Sequence, residues 1–452
     1  MTQPDLTPMN TAAPLLPPDH PDRALLAAEV HARPPEPLAA PSRASYVAVR
    51  IEDTERAAEL THIRALCDQF DLQPPTLGAN QWASTLGGLR FKWERHGEFS
   101  SYTFFSPSLS TTPFSTPVVG SLPAGWLAGV PGLTVFAAHA ELVGGSGFAE
   151  SDMPSPEQLA AHFGANVVVG AGIGDGSGQV FTDFFIHGDG FARFLLVDRE
   201  MSARQAGRML QRLFEIEAYR MMALLALPMA RGLWSRLLAI ECRLAGLTER
   251  IARNSGDDDA LLQQLMALAA EVESALAASQ ARFGASRAYH ALVATRIQEL
   301  REQRIKGLQT IEEFMARRLS PAMATCATAS QRLHDLSERV AQASGLLSTR
   351  VDIARQQQNQ TLLVATARRA KLALRLQQTV EGLSVAAIVY YLAGLVGYGA
   401  KALKAAGLGV SPDLVTGAAV PLLAVCAWWV LRRVHQRIEH DDQAGASHTF
   451  RP

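Results

Sequence analysis

The chain has 452 residues, enough for two or three domains, and its hydrophobic fraction of 48% is ordinary for a globular protein. Lysine and arginine number 42 against 43 aspartate and glutamate, and the net charge of −1 excludes a broadly basic nucleic-acid-binding protein. The four cysteines are far apart with no short Cys/His spacing, which argues against a disulfide framework or zinc knuckle and fits a reducing compartment.

Residues 1–18 are predicted to be a disordered leader, because they are rich in proline and lack the basic start and apolar run of a signal peptide. Segment 22–32 is predicted to be a helix, which Pro34-Pro35 terminates. His31 and Arg33 lie at the end of this helix, where a positive charge complements the helix dipole. A binding role for these two residues is the alternative interpretation.

Residues 19–200 are predicted to form a cytoplasmic α/β domain, so the whole chain is expected to be α+β. Segment 54–70 reads as a helix with Thr54 as its N-cap. Segment 88–106 reads as a hairpin, with aromatic residues alternating on both sides of His96-Gly97. Further strands are predicted at 45–51, 133–142, 166–173, 178–187 and 191–198.

Residues 201–380 are predicted to form a helical stalk or bundle, because their apolar residues recur with the helical period of about 3.6. Breaks are expected at Pro228, at 254–259, near Gly284 and at Pro321. The predicted helices are 203–227, 230–253, 258–281, 286–319 and 321–400. The last helix continues into the membrane, and its length requires neighbouring helices in a bundle or coiled coil.

Residues 381–432 are predicted to form a transmembrane hairpin. Segments 383–400 and 414–431 are uncharged, and each spans close to the ~30 Å hydrocarbon thickness at ~1.5 Å per residue. The second segment ends in Trp428-Trp429 followed by arginines, an arrangement typical of a membrane boundary.

Basic residues predict the orientation of this hairpin. Four precede the first span and three follow the second, whereas the linker between the spans has only Lys401 and Lys404. The positive-inside rule therefore places both termini in the cytoplasm, with 433–452 as a cytoplasmic tail, and predicts a multi-pass protein of the cytoplasmic (inner) membrane. The flanking basic residues are Arg368, Arg369, Lys371, Arg375, Arg432, Arg433 and Arg437.

The letters "VGYG" at 396–399 match a potassium-channel filter. Such a filter needs free backbone carbonyls in a re-entrant loop after a pore helix. Here the four residues close the first span itself, Leu395 stands where the filter has threonine, and the linker is too short for a pore helix. The sequence therefore favours a helix end over a filter.

One face of the first span carries small and hydroxyl-bearing residues at spacings of three and four. In a ring of subunits this stripe would line an ion path, and the Glu381 side chains of all subunits would form a ring of negative charge at its cytoplasmic mouth. The alternative, which the sequence favours, is helix packing in lipid, as also fits Ala393-x-x-x-Gly397. The stripe comprises Gln377, Glu381, Ser384, Ala387, Tyr391, Gly394 and Tyr398.

Two further motifs are weighed for ligand binding. In an extended strand Asp183, His187 and Asp189 share a face and suit a divalent ion, but Gly188 and Gly190 predict a turn that breaks this face. The glycine-rich stretch 170–178 lacks the GxGxxG spacing and is predicted to be a hairpin loop instead of a phosphate cradle.

Six segments together resemble a bacterial family catalogued as a domain of unknown function, number 3422, and described as membrane-anchored. The resemblance implies a membrane protein and supplies no activity or catalytic residue. The segments are "HPDRALLAAEVHARP" (20–34), "FKWERHGEFSSYTF" (91–104), "DFFIHGDGFARFLLVD" (183–198), "QAGRMLQRLFEIEAYRMMALLALPMAR" (205–231), "RIQELREQRIKGLQTIEEFMARRLSPAM" (296–323) and "RLQQTVEGLSVAAIVYY" (375–391).

The order of parts also resembles CorA-type magnesium channels, whose cytoplasmic domain joins a long stalk helix that becomes the first of two spans. Those channels end the first span with Gly-Met-Asn and have an acidic loop. This chain has Gly-Tyr-Gly and a loop with Lys401 and Lys404.

The function expected from the sequence is an oligomeric, membrane-anchored scaffold or interaction protein. A CorA-like divalent cation transporter is the first alternative and a membrane-bound enzyme is the second. The expected partners are the bilayer and further copies of the chain, with a divalent cation under the first alternative. No nucleic acid, cofactor, catalytic residue or metal ligand is predicted.

Overall fold

The computed structural model describes residues 17, 19–23, 26–27, 34–76, 78–144, 154–254, 257–405 and 411–446, with side-chain surroundings left out at 431 and 434–446. The chain divides into two compact units, residues 1–345 and 346–452. The first unit combines a mixed β-sheet with helices and the second is helical, so the fold is α+β, as predicted.

A nine-stranded sheet forms the centre of the first unit, in the order β2-β3-β4-β1-β5-β8-β7-β6-β9. All neighbouring strands are antiparallel except β5 and β8, which are parallel. The strands are β1 (Ser42–Arg50), β2 (Gln81–Leu86), β3 (Leu89–Arg95), β4 (Phe99–Ser106), β5 (Leu133–Gly144), β6 (Val169–Ile173), β7 (Gly178–Thr182), β8 (Ala192–Asp198) and β9 (Gln303–Arg304).

The helices between and after these strands account for most of the chain. They are α1 (Arg56–Gln69), α2 (Pro156–Phe163), α3 (Ala203–Leu224), α4 (Ala226–Ala252), α5 (Asp258–Leu300), α6 (Ile311–Arg318), α7 (Ser320–Ala405) and α8 (Pro412–Ala446). The boundary between the two units falls inside α7, after Gly345.

The two faces of the strands β2, β3 and β4 differ in chemistry because side chains alternate along each strand. Phe91, Trp93 and Phe104 are buried on one face in an apolar cluster that also includes Ile63 of α1. The opposite face carries Arg90, Lys92 and other polar side chains. There Tyr46 of β1 stacks on Phe214 of α3, with ring centroids 4.7 Å apart.

A buried carboxylate ties α1 to this apolar cluster. Glu59 accepts hydrogen bonds from Trp93 Nε1 and Tyr102 Oη, both at 2.8 Å, and pairs with Arg56 at 3.2 Å. Arg56 in turn donates to Ser100 Oγ at 2.8 Å. Burial and the nearby Glu59 raise the pKa of Tyr102, so the phenol stays protonated as a donor.

Two predicted helix boundaries are shifted. The break expected at Pro228 falls three residues earlier, at Leu225 between α3 and α4, because proline lacks the N–H that a helix interior needs and fits in the first turn of α4. The helix 54–70 does not start at Thr54. A 3₁₀ turn, Asp53–Glu55, precedes α1, and its capping box joins Glu52 to Glu55.

The predicted break near Gly284 and the single helix 286–319 are also wrong. Helix α5 continues through Gly284 to Leu300, where Arg301 takes a left-handed conformation with φ of 50°. The chain then adds β9 beside β6. The Glu302 carboxylate accepts the Ile311 and Glu312 N–H groups at 3.0 and 2.9 Å, and so starts α6 as a new helix.

The strand predicted over 178–187 is shorter than expected. It ends at Thr182, because Phe184 has a positive φ of 56° that leaves the extended conformation. The glycine-rich stretch before it forms the β6–β7 hairpin turn, as predicted, with positive φ at Gly174, Asp175 and Gly176.

Candidate functional site

The two helices of the second unit meet through small residues. Ala393 and Ala400 of α7 are buried, and a Cβ added to Gly397 lies 3.1 Å from Thr416 Oγ1 of α8. Small side chains permit this close approach, which is the usual basis of helix contacts in lipid. The predicted Ala393-x-x-x-Gly397 pair therefore lies on the face that contacts α8.

The outer surface of this hairpin is apolar and exposed. Both helices of the hairpin, the one that ends at Ala405 and the one over Pro412–Val430, are long and apolar enough to cross a membrane. The most apolar stretch of each helix, taken as a whole, is not buried. The helical stretch Ala203–Ala252 is also long and apolar enough, and 28% of its most apolar part is buried. The exposed residues of the hairpin include Leu383, Ile388, Tyr390, Leu395, Leu414, Leu422, Val425, Trp428 and Trp429.

The predicted stripe of the first span lies on one side of α7. Tyr391 and Tyr398 are 72% and 75% exposed, and Ser384, Ala387 and Gly394 are exposed as well. At the end of the stripe nearest the stalk, Gln377 Nε2 donates to Glu381 Oε1 at 3.1 Å. Tyr391, Gly394 and Tyr398 border a groove whose other side is formed by α8 residues such as Pro412 and Thr416. The described residues leave most of the stripe exposed.

The stripe continues backwards along α7 into the stalk, a feature that the sequence reading missed. No residue between 352 and 380 is buried. Leu363, Ala367, Ala370 and Leu374 precede Gln377 at spacings of four, three, four and three. An apolar repeat of about 3.5 residues is the signature of a left-handed coiled-coil seam.

A second apolar stripe lies on another side of the same stalk. Its members are exposed leucines and a valine at helical spacing, and Arg369 lies in the same row, seven residues from both Leu362 and Leu376. A helix with two unpartnered apolar stripes requires neighbours on more than one side. This second stripe consists of Leu362, Leu372, Leu376 and Val380.

The "VGYG" residues lie inside α7, where backbone carbonyls accept hydrogen bonds along the helix. A potassium filter uses free carbonyls, so this segment has the backbone of a helix and not that of a filter. Lys401 follows one turn later, with its ammonium 5.9 Å from the Tyr398 ring centroid. This contact places a positive charge at the linker end of the first span.

The candidate metal ligands of the first unit are separated. His187 Nε2 lies 2.9 Å from Asp183 Oδ2, which also accepts from Asn166, while Asp189 approaches His139 instead. Within the described ranges no group of three His, Cys, Asp or Glu side chains is placed to hold a metal ion. His31 and Arg33, the predicted binding pair, lie outside the described residues.

Ser45, His139 and Asp189 form a polar row that the sequence did not reveal, with Ser45 and His139 buried and Asp189 exposed. Ser45 Oγ lies 2.8 Å from His139 Nδ1, and Asp189 Oδ2 lies 3.9 Å from His139 Nε2. Ser45 is fully buried, and Phe191 stacks on the imidazole at 3.9 Å. A substrate has no access to this serine, so the row serves the packing of β1 against β5.

Acid is expected to destabilise the first unit through His139. Burial lowers its pKa from 6.5 to about 4, against the attraction of Asp189 and together with the repulsion of Arg193. Between these values the unfolded chain binds a proton that the folded chain does not, so stability falls as pH decreases from 6.5 towards 4, by at most about 1.4 kcal/mol per pH unit. Urea unfolding of wild type and His139→Gln at several pH values measures this; an identical pH dependence in both proteins contradicts it.

Comparison with protein families gives one match. The family model described as "Protein of unknown function (DUF3422)" matches residues 18–438. Comparisons with curated proteins and with solved structures find no match.

Proposed function

The chain belongs to the family DUF3422, whose description names no activity, and we propose from the geometry that the protein is a membrane-anchored, self-associating interaction protein. Its second unit supplies the anchor and the contact between copies. Its first unit is the interaction module that this anchor tethers to the membrane.

The continuous apolar surface of the hairpin is the observation that carries this proposal. From 383 to 400 and from 414 to 431 no residue is charged, and the described surface is mostly exposed. Transfer of apolar surface from water into lipid is favourable by about 25 cal/mol per Å². The guanidinium groups of Arg432 and Arg433 lie 5.0 and 4.7 Å from the rings of Trp428 and Trp429, an arrangement that supports a headgroup boundary at this end.

The same arginines support the orientation. With the basic residues before the first span and after the second on one side, both termini lie in the cytoplasm of the inner membrane. A phosphatase that is active only outside the cytoplasm, fused after Pro452, is expected to remain inactive.

Self-association is proposed through the stripe along α7. The stripe runs from Leu363 in the stalk to Tyr398 in the span, and the described residues bury none of its members. In parallel copies these positions meet at a common seam, while Arg368, Arg369 and Arg375 stand beside the seam and not in it. Copies in one membrane share the same orientation, which favours the parallel arrangement.

A cation path along this seam is the alternative function, and the exposed position of the stripe with Glu381 at its end favours it. Lys401 and Lys404 oppose it, because they place positive charge where a cation enters. Protein in liposomes with a magnesium gradient separates the two functions. We expect no protein-dependent flux, and flux that Glu381→Gln lowers overturns this expectation.

Cysteine cross-linking in native membranes tests the proposed function. In a background where Cys242 and Cys426 are serine, Tyr391→Cys is expected to give disulfide-linked dimers on oxidation, because the stripe faces its counterpart. Val389→Cys is the matched control, since Val389 is half-buried beside α8 residues in the same chain. Absence of cross-linking at both positions, or equal cross-linking, contradicts a seam at the stripe.

A further inference from the structure

A cleft of about 780 Å³ opens in the first unit, on the polar face of the sheet. Its floor is formed by Gln81 and Ala83 of the edge strand β2 and by Arg90 and Lys92 of β3. One wall is the first two turns of α3 and the other is the segment Pro34–Pro37. The volume lies within the usual range of small-molecule sites.

Positive charge dominates the lining. The cleft is lined by four cations, Arg90, Lys92, Arg204 and Arg208, and by one carboxylate, Glu36. Arg90 Nε pairs with Glu36 at 3.0 Å and Lys92 pairs with Glu94, so two positive charges remain without an acidic partner among the described residues.

Arg204 and Arg208 are the cations of this cleft that have no counter-charge among the described residues. Arg204 and Arg208 are exposed, and no ion pair or hydrogen bond joins either side chain to a described residue. They lie one turn apart on α3, where like charges repel each other. The first turn of α3 has no acidic residue, so arginine occupies the positive end of the helix dipole, where an anion is favoured.

The wall that faces these arginines is fixed in place. A Cβ added to Gly207 lies 1.8 Å from the Glu36 backbone oxygen, so only glycine allows the segment to approach α3 this closely. Leu38 N–H donates to Ala203 O at 2.9 Å, and Lys92 Nζ donates to Pro34 O at 2.8 Å. Lys92 also pairs with Glu94 at 2.9 Å. The cleft is therefore built before any ligand enters.

We propose that this cleft binds a soluble anion that carries two or more phosphate groups. Such an anion matches the two arginines that have no acidic partner among the described residues, and a single carboxylate does not. A guanidinium group can bind two phosphate oxygens at once, and Arg204 and Arg208, which bond to no described residue, present such groups at the N-terminus of α3. This inference stands apart from the proposed anchoring and self-association, since its residues all lie in the first unit.

Calorimetric titration tests the proposal with inorganic pyrophosphate and full-length protein in phosphatidylcholine nanodiscs. Wild type is expected to bind saturably. Arg204→Ala and Arg208→Ala are each expected to weaken binding roughly tenfold, the loss typical of one charge-assisted hydrogen bond, and the double variant further. Arg64→Ala is the control, because Arg64 is an exposed arginine of α1, which packs on the opposite face of the sheet.

Two results overturn the proposal. The first is an absence of saturable pyrophosphate binding up to about 10 mM, roughly tenfold above the ~1 mM upper end of usual substrate affinities, or wild-type binding that the double variant retains. The second appears in nanodiscs that contain phosphatidylglycerol. If the double variant loses affinity for this anionic lipid while wild type binds no pyrophosphate, the cleft recognises a lipid headgroup and the soluble ligand is wrong.

Discussion

Replacing Leu363 and Leu374 together by glutamate is expected to convert the full-length protein in mild detergent from an oligomer into monomers. Both leucines lie on the exposed stripe of α7, outside the predicted span. In a parallel seam each substitution places like charges against one another in an apolar contact, and it removes about 2 kcal/mol of burial per leucine and per chain. Light scattering coupled to size-exclusion chromatography measures the change in mass.

A matched pair of substitutions controls for charge. Gln357→Glu with Val364→Glu adds the same two carboxylates at the same helix, on a side that belongs to neither apolar stripe. We expect this variant to keep the wild-type mass. A stripe variant that stays oligomeric removes α7 from the contact between copies.

Glu59→Ala is expected to destabilise the first unit by about 3–5 kcal/mol, the usual cost of leaving one partner of a buried ion pair alone. The change leaves Trp93 Nε1 and Tyr102 Oη without their acceptor and removes the carboxylate that pairs with Arg56. The two orphaned donors, at about 1–3 kcal/mol each, account for much of this cost. Tryptophan fluorescence during urea unfolding reports the shift, because Trp93 lies beside the site.

Two variants bracket this result. Glu59→Gln keeps an acceptor oxygen without the charge and is expected to cost less than alanine. Asp68→Ala changes an exposed carboxylate on the same helix and is expected to stay within about 0.5 kcal/mol of wild type. Equal stability of Glu59→Ala and Asp68→Ala contradicts the role assigned to Glu59.

Elements with strong local patterns were predictable from the sequence. The hairpin of β3 and β4, the strands β5 and β8 and the long helix α7 follow from alternation or from helical periodicity. The missed features depend on contacts distant in sequence. Strand β9 has two residues and exists because the sheet edge at β6 accepts it, which no local pattern around Arg301 reveals.

The candidate sites show the same division. The arginines and tryptophans around the hairpin could be read from the sequence, because membrane topology depends on charge order along the chain. The cationic cleft could not, since its lining comes from 34–37, 81–92 and 204–208, which only the fold brings together. One local signal was present: Arg204 and Arg208 stand a turn apart at a helix start without a nearby acid.

The native mass of the full-length wild-type protein, measured in detergent micelles with the detergent contribution subtracted, tests the central claim most directly. The chain has a mass of 48.7 kDa. A membrane-anchored protein that self-associates through α7 is expected to give a discrete multiple of this mass, two or more copies, over a range of micromolar concentrations. A single copy throughout that range contradicts self-association and leaves the stripe of α7 facing lipid alone.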